Sequence, residues 1–570
     1  MTAIGALAPA QKSSDSSEQS ALQRGQQALK TGDLSRARAE FEKAVHMAPA
    51  DAAAQSALGW VLAQQGDSES AIIHLRVALK TKPDFVEAQL TLASVLAQQG
   101  KIAEGSEQAR AALEKAPGNA EAHRTLARIL NHTDADEAFR EMQRAVELAP
   151  QRADLRDELG TLMAQRSQFA DAEKQFSEAL RLQPEMESAH FHRGVVYLRQ
   201  QQPDRSADDL RRAVELNPQG ATAHYYLAKA YAAQQKPEDS LTELKKTAAL
   251  KPDWFELQVE LGIASQRAGD AQTAVAAFTQ AAKLHPDDAD VYNDLGLALI
   301  QKGDADRAIP SFKTAVQLRP QDGTLRGNLA IGYIQVSNFD AAVAELETGL
   351  KISPADASLH YNLGLAWKLK DQLDKAAAEF QEAIRLQPDL VDAHYTLGIL
   401  YWQRGEFDKA SAELQSAIQL QPNYAEAHYT LGTIFKQQGK LADAATQLRE
   451  AIRLQPDFAG AHTTLAGVLR QLGDGQGAAD EAKEGARIAA SVNNLQAAKV
   501  STNSGKRLMG AGDLEGAIAQ FRSAIHSEPK YAAAHYQLAL ALQQRGEKDE
   551  ARKEFERAAE LDPQTTAPRE

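Results

Sequence analysis

Eight histidines stand in one register: His123, His190, His224, His360, His394, His428, His462 and His535, with every interval from His190 to His462 a multiple of 34 residues. Imidazole at a fixed spacing suggests two chemistries, metal ligation and proton transfer. Neither is favoured here. Residues one repeat apart on successive packed helices lie about 10 Å from one another, too far for two rings to share an ion. No Cys exists in the chain, and no carboxylate follows a ligand pattern around these histidines. A structural role follows, packing between units with one ring nitrogen hydrogen-bonded.

Other catalytic signatures are missing. There is no HExxH, no GxSxG and no GxGxxG after a strand. The run STNSGKR at Ser501–Arg507 has the look of a phosphate loop but lacks its leading Gly and final Ser or Thr. Gly505 within it falls where every unit carries a small residue, so the run reads as structural. The expectation is a protein that is not an enzyme and needs no metal or cofactor.

A second register carries more promise. With each repeat numbered so that its closing proline is position 32, positions 5, 9 and 12 form a line about 100° around the helix from the core stripe. That line is apolar and aromatic in Phe191, Val195, Leu198 and Tyr225, in Leu297, Ile300, Ile331 and Ile334, and above all in Tyr361, Leu365, Tyr395, Ile399, Trp402 and Tyr429. Lys368 and Lys436 join it at position 12. Aromatic anchors with a few cations are what binding of a peptide requires, since Tyr and Trp bury much area at little rotamer cost. The same rings could instead pack on the adjacent helix as additional core. Arg124 and Arg128 make a separate patch suited to an acidic tail or to a solvated face.

These side chains are positioned by a 34-residue period. Pro49, Pro83 and Pro117 mark it, one unit ending at Pro150 has 33 residues, and the beat is unbroken from Pro150 to Pro456. Pro529 and Pro563 close the last two of 16 units, with five residues in excess between Pro456 and Pro529. Positions 4, 7, 8 and 11 recur as one amphipathic helix, and positions 20, 24 and 27 as a second. Position 8 is Gly or Ala throughout (Gly25, Gly160, Gly364, Gly398, Gly432), position 20 is small, and position 24 is mostly Phe or Leu, so close helix approach leaves a gap that a large side chain fills. Gly at position 15 ends many first helices, and Asp or Asn directly after the proline (Asp84, Asp253, Asp287, Asp389, Asn423, Asp457) is expected to cap the next unit.

Runs such as HYNLGLAWKLKDQLDKAAAEFQEAIRLQP and HYTLGTIFKQQGKLADAATQLREAIRLQP resemble tetratricopeptide repeats from Glu18 to Pro563. The resemblance implies an all-α, right-handed superhelical solenoid of about 16 helix-turn-helix units, whose first helices line a concave groove that holds an extended or helical segment of another protein. The Lys and Asn set with which chaperone-reading members hold a terminal carboxylate is missing. Asn328 and Asn362, at position 6 of adjacent units, resemble the asparagine ladder in the repeat region of O-linked N-acetylglucosamine transferases, although Thr396 and Thr430 make the ladder partial. The sequence as given, ending seven residues after Pro563, reads as such an array without the catalytic domain.

Composition agrees with packed helices: 43% hydrophobic residues, 6% aromatic, and a net charge of −14 that disfavours nucleic acid or anionic lipid as partner. No apolar run is long enough for a membrane-spanning helix. The expected divisions are a flexible leader or signal-peptide remnant over 1–17, units over 18–490, an insertion or seam over 491–497 with a hinge at Asn493 and Asn494 as one form, units over 498–563, and a tail over 564–570. As given the chain reads as cytoplasmic, or as periplasmic or secreted if residues 1–10 end a signal peptide. The functional expectation is a noncatalytic protein–protein scaffold whose groove residues are Asn328, Tyr361, Asn362, Leu365, Lys368, Tyr395, Ile399, Trp402, Tyr429 and Lys436. The alternatives are a periplasmic carrier or assembly factor, and a regulatory subunit of an enzyme complex whose catalytic chain is separate.

Overall fold

Small residues at position 8 and large ones at position 24 meet as the pattern requires. A Cβ added to Gly364 would lie 2.6 Å from the Phe380 ring, and one on Gly160 would lie 2.6 Å from Phe176. Gly398 and Gly432 face Leu414 and Leu448 in the same way. Each of these large side chains is fully buried. The two helices of a unit are therefore held at a distance only glycine or alanine allows, with one ring or leucine closing the gap.

The computed structural model describes residues 16–563, and every regular element among them is a helix, 31 in all. They alternate between first helices such as Val391–Gln403 and second helices such as Phe407–Leu420, giving an all-α solenoid of helix-turn-helix units. The described residues form two compact units, divided between Pro286 and Asp287. The first contains the helices from Ser16–Lys30 to Ala271–Leu284, and the second those from Ala289–Gln301 to Lys548–Leu561. The leader expected over 1–17 lies outside the described residues except for its last two, which open the first helix; the tail expected over 564–570 lies outside them entirely.

Between the helices of a unit, position 15 is left-handed whether or not it is glycine. Gly405 and Gly439 adopt it, and so do Ser167, Gln201, Gln235, Ser337 and Asp371, at φ from 58° to 60°. The turn is thus imposed by packing of the two helices, against a backbone cost of about 1–2 kcal/mol for a residue with a Cβ. In the 33-residue unit the left-handed residue is the one missing, and the first helix there is shortened to Ala120–Leu130.

One expectation is corrected. Asp84, Asp253, Asp287, Asp389, Asn423 and Asp457 do not cap the following helices; the N-cap is one residue later, at Phe85, Trp254, Leu390, Tyr424 and Phe458, which make no side-chain cap bond, and at Asp288, which does. Position 34 is the N-cap whatever residue fills it: Asp51, Asn119, Asp288, Asp322 and Asp356 make the cap bond there, and an aromatic residue packs instead. Trp254, Tyr424 and Phe458 lie against Tyr225, Tyr395 and Tyr429, with ring centroids 4.7, 4.8 and 4.7 Å apart. Burying an aromatic pair there outweighs the roughly 1 kcal/mol of a cap.

The eight histidines use both ring nitrogens rather than one. In His360 and His394, Nδ1 meets Glu379 and Glu413 at 2.6 Å, and Nε2 meets the carbonyl of Pro354 and Pro388 at 3.1 Å. The other six repeat the arrangement, with Gln447 in place of the carboxylate at His428. Three units without histidine reproduce it: Gln55 spans Pro49 and His74, Arg156 spans Pro150 and Gln175, and Arg326 spans Pro320 and Glu345, whereas Gln89 and Gln258 reach only the proline carbonyl. Position 4 therefore ties the carbonyl of the preceding proline to the second helix, satisfying a backbone oxygen that helix termination leaves open.

His190 meets Asp209 at 2.9 Å, and Arg193 clamps the same carboxylate. Burial pushes the Asp209 carboxyl up, but hydrogen bonds from Arg193 and His190 more than offset this and hold it below its usual 3.8. A depressed carboxylate contributes stability that is complete above the unfolded value and is lost as pH falls through the folded one. Asp209→Asn should accordingly flatten the fall of the urea midpoint between about pH 5 and pH 2, and an unchanged acid limb would reject this assignment.

Residues 491–497, with Asn493 and Asn494, occupy the middle of one unbroken helix, Gly475–Gly510. It serves as second helix of one unit and first helix of the next. Ala478, Gly485 and Ile488 bury one end, Ala498, Thr502 and Gly505 the other, and residues 489–494 are exposed on every side. Ala490, 34 residues after Pro456, stands where other units have proline, so nothing stops the helix, and Ala-rich propensity carries it across. Gly505 of the Ser501–Arg507 run faces Phe521 in the ordinary packing arrangement.

Candidate functional site

The residues expected to form a binding line come from consecutive first helices of the second compact unit. Asn328 lies on Gly323–Gln335; Tyr361, Asn362, Leu365 and Lys368 on Ala357–Leu369; Tyr395, Ile399 and Trp402 on Val391–Gln403; and Tyr429 and Lys436 on Ala425–Gln437. All ten are half-buried. Tyr361, Leu365, Tyr395, Trp402 and Tyr429 rest on the core formed by Phe380, Leu397, Leu414, Leu431 and their neighbours.

Much of their polar capacity is spent between repeats. The Tyr361 hydroxyl is 3.4 Å from Thr396 Oγ1, and the Tyr395 hydroxyl hydrogen-bonds Thr430. Trp402 Nε1 donates to Gln437 Oε1 at 2.7 Å, and Asn328 Nδ2 donates to Asn293 Oδ1 at 2.7 Å. Three of these are rungs from position 5 of one unit to position 6 of the next, and Trp402 to Gln437 runs from position 12 to position 13. Tyr225 to Glu260 and Arg124 to Glu158 repeat the rungs in the first compact unit. Arg128 also reaches Glu158, so the Arg124 and Arg128 patch is neutralised from within the chain. The threonines at position 6 thus receive tyrosine hydroxyls, and no continuous asparagine ladder forms.

Other groups on this face remain unspent. Among the described residues, Asn362 has no side-chain hydrogen bond and neither Lys368 nor Lys436 has a carboxylate at ion-pair distance. Burial alone pushes the Lys368 ammonium below its usual value, with no compensating anion. Two half-buried ammonium groups without an anion, on the face that carries Tyr361, Tyr395 and Tyr429, are conspicuous. Among the described residues no three His, Asp or Glu side chains group as metal ligands, and no helix is long and apolar enough to cross a membrane.

Sequence reasoning found the line but not the rungs, the stacked N-cap rings or the hydrogen-bonded position 23. Glu243, Glu379, Glu413, Glu481 and Glu554 each fall 19 residues after a position-4 histidine, a spacing from which the last could have been inferred.

Fold and face together define a helical-repeat protein that presents side chains for protein contacts. Tetratricopeptide repeat models match residues 22–84, 158–209, 196–253, 259–323, 429–493 and 502–565, and a second such model matches 62–129 and 299–364. A TPR repeat model matches 368–405 and 400–439. The first alone spans more than half of the sequence, and the chain belongs to the tetratricopeptide repeat family. No curated protein matches it. Among solved structures it is similar to MamA, at 26% identity over 29% of this chain and 96% of that one, with a TM-score of 0.27. It is similar also to the APC/C hetero-tetramer Cut9-Hcn1, at 15% identity over 92% and 96% with a TM-score of 0.34, and to yeast Tom70, at 16% over 74% and 96% with 0.32. Scores this low carry no argument, and the assignment stands on the repeat models. An array of tetratricopeptide repeats is a scaffold for protein–protein interaction.

Proposed function

We propose that the chain is a noncatalytic scaffold that holds an acidic extended or helical segment of another protein along the first-helix groove, across Tyr361, Asn362, Leu365, Lys368, Tyr395, Ile399, Trp402, Tyr429 and Lys436. The observation carrying this reading is the pair of unpaired, half-buried ammonium groups of Lys368 and Lys436 set among partly exposed rings. A carboxylate-bearing segment would supply the missing anions, the rings would bury its apolar side chains, and the Asn362 amide would pair with its backbone. Nucleic acid is a poor fit to a chain of net charge −14.

The test is crosslinking capture from the native source with wild type, a Tyr395→Ala, Trp402→Ala, Tyr429→Ala variant, and a Lys368→Glu, Lys436→Glu variant, all of equal helicity. Each aromatic anchor is worth about 1–2 kcal/mol or more, so the triple variant should lose a captured protein at least 100-fold. The charge-reversed variant disturbs no internal ion pair, and its loss should weaken as salt rises. Captures identical to wild type in both variants would refute the site.

A further inference from the structure

A separate cavity opens in the first compact unit, on the corresponding face of the fifth, sixth and seventh repeats. Its volume is about 250 Å³, and its walls are almost wholly apolar and aromatic: Phe169, Phe176, Phe191, Val195 and Tyr226, with Ala164 at one side. The floor is rigid, since Phe176 and Val196 are essentially fully buried. His192 forms one wall, with its ring centroid 5.6 Å from Phe176 and 5.5 Å from Phe191. Its Nδ1 is fixed 2.9 Å from Oδ1 of the buried Asp157, whose other oxygen accepts from Ser188 at 2.9 Å. Phe191 meets Tyr226 edge-on at 5.6 Å and closes the far side.

A small side chain bounds the cavity on one side. Position 12 carries Ile300, Ile334, Lys368 or Trp402 in later repeats, whereas the fifth has Ala164, as the second, third and seventh have Ala63, Ala97 and Ala232. The space those longer chains would occupy is left open. An apolar cavity of about 150 Å³ already accommodates a benzene ring, so this one has room for a phenyl or indole side chain. At its rim Arg199 is exposed and has no carboxylate at ion-pair distance among the described residues.

We propose that this cavity is a binding site for one aromatic side chain of a partner protein, flanked in sequence by a carboxylate that pairs with Arg199. Ring and charge are both read: the walls supply edge and face contacts to an aromatic group, and the lone guanidinium selects an acidic neighbour. The site does not share a residue with the face proposed above, and it stands if that reading fails.

The test uses the full chain and the tripeptide Ac-Glu-(4-fluoro-Phe)-Glu-NH2, followed by fluorine NMR. Wild type should shift and broaden the fluorine resonance. Ala164→Leu, which restores a longer side chain at position 12, should abolish the effect, and Val195→Phe should do so from the opposite wall. Arg199→Gln should weaken binding about two- to fivefold, the range of an exposed ion pair, and the Gln-flanked tripeptide should bind more weakly by the same factor. The Tyr395→Ala, Trp402→Ala, Tyr429→Ala variant should bind as wild type does. No fluorine response, or an equal response from wild type and both cavity-filled variants, would overturn the assignment. Equal binding of the Glu- and Gln-flanked peptides would overturn its acidic part.

Discussion

Phe380→Ala is expected to destabilise the eleventh repeat by about 3–5 kcal/mol, the cost of emptying a buried aromatic site that cannot collapse. The ring is fully buried and lies against Gly364 and Tyr361. It also belongs to the core that continues through Leu397, Leu414 and Leu431. Phe380→Leu should cost only about 1 kcal/mol, because Leu414 and Leu448 already occupy the same position opposite Gly398 and Gly432. Gly364→Leu, which drives a side chain into the space of the ring, should cost about 3 kcal/mol. Combined with Phe380→Ala it should cost less than the two losses added, because each change relieves the defect left by the other. A repeat array couples neighbours only, so hydrogen exchange should show the protection lost around residues 357–403 while the terminal repeats keep theirs. Uniform loss along the chain would contradict nearest-neighbour coupling.

The contact of Gly364 with Phe380 was legible in the sequence because it follows from period and size: the two positions recur 16 residues apart, one always small and the other mostly large. The left-handed turn was legible only where glycine announced it; at Gln201 and Gln235 the same backbone is imposed by the helices on either side, and a single residue type carries no sign of that. The misplaced caps have a similar origin. Asp or Asn after proline is a sound local signal, yet the helix begins one residue later, where Asp288 and Asp356 make the cap bond and Tyr424 and Phe458 pack on Tyr395 and Tyr429 instead. Within the candidate site, period and amphipathicity located the line of Tyr361, Tyr395 and Tyr429 but not what each hydroxyl touches, since a rung joins residues 35 apart on helices separated by another helix. The cavity beside Phe191 was hidden for the opposite reason: Ala164 bounds it, but Ala63, Ala97 and Ala232 stand at the same repeat position, so alanine there gives no sign of a cavity.

His224→Ala is expected to cost about 2–3 kcal/mol, and its neighbours indicate why. Nε2 of His224 lies 3.1 Å from the Pro218 carbonyl, an acceptor only, which assigns a proton to that nitrogen. Nδ1 lies 2.5 Å from Oε2 of Glu243, so one further proton is held between the ring and the carboxylate. Both side chains are less than a tenth exposed. Removing the ring leaves the proline carbonyl without its donor and the carboxylate without one of its two partners; orphaning a buried charge outright costs about 3–5 kcal/mol. Lys246, which bonds the other oxygen of Glu243 at 2.8 Å and remains in place, keeps the loss below that range. Glu243→Gln should cost under about 1 kcal/mol, because the thirteenth repeat already pairs His428 with Gln447, whose amide, turned over, donates to Nδ1 of a neutral ring. The two substitutions thus separate the bond from the charge. Urea unfolding should show a large loss for His224→Ala and a small one for Glu243→Gln, and equal losses would mean that the charge, rather than the bridge from proline carbonyl to second helix, holds the repeat together.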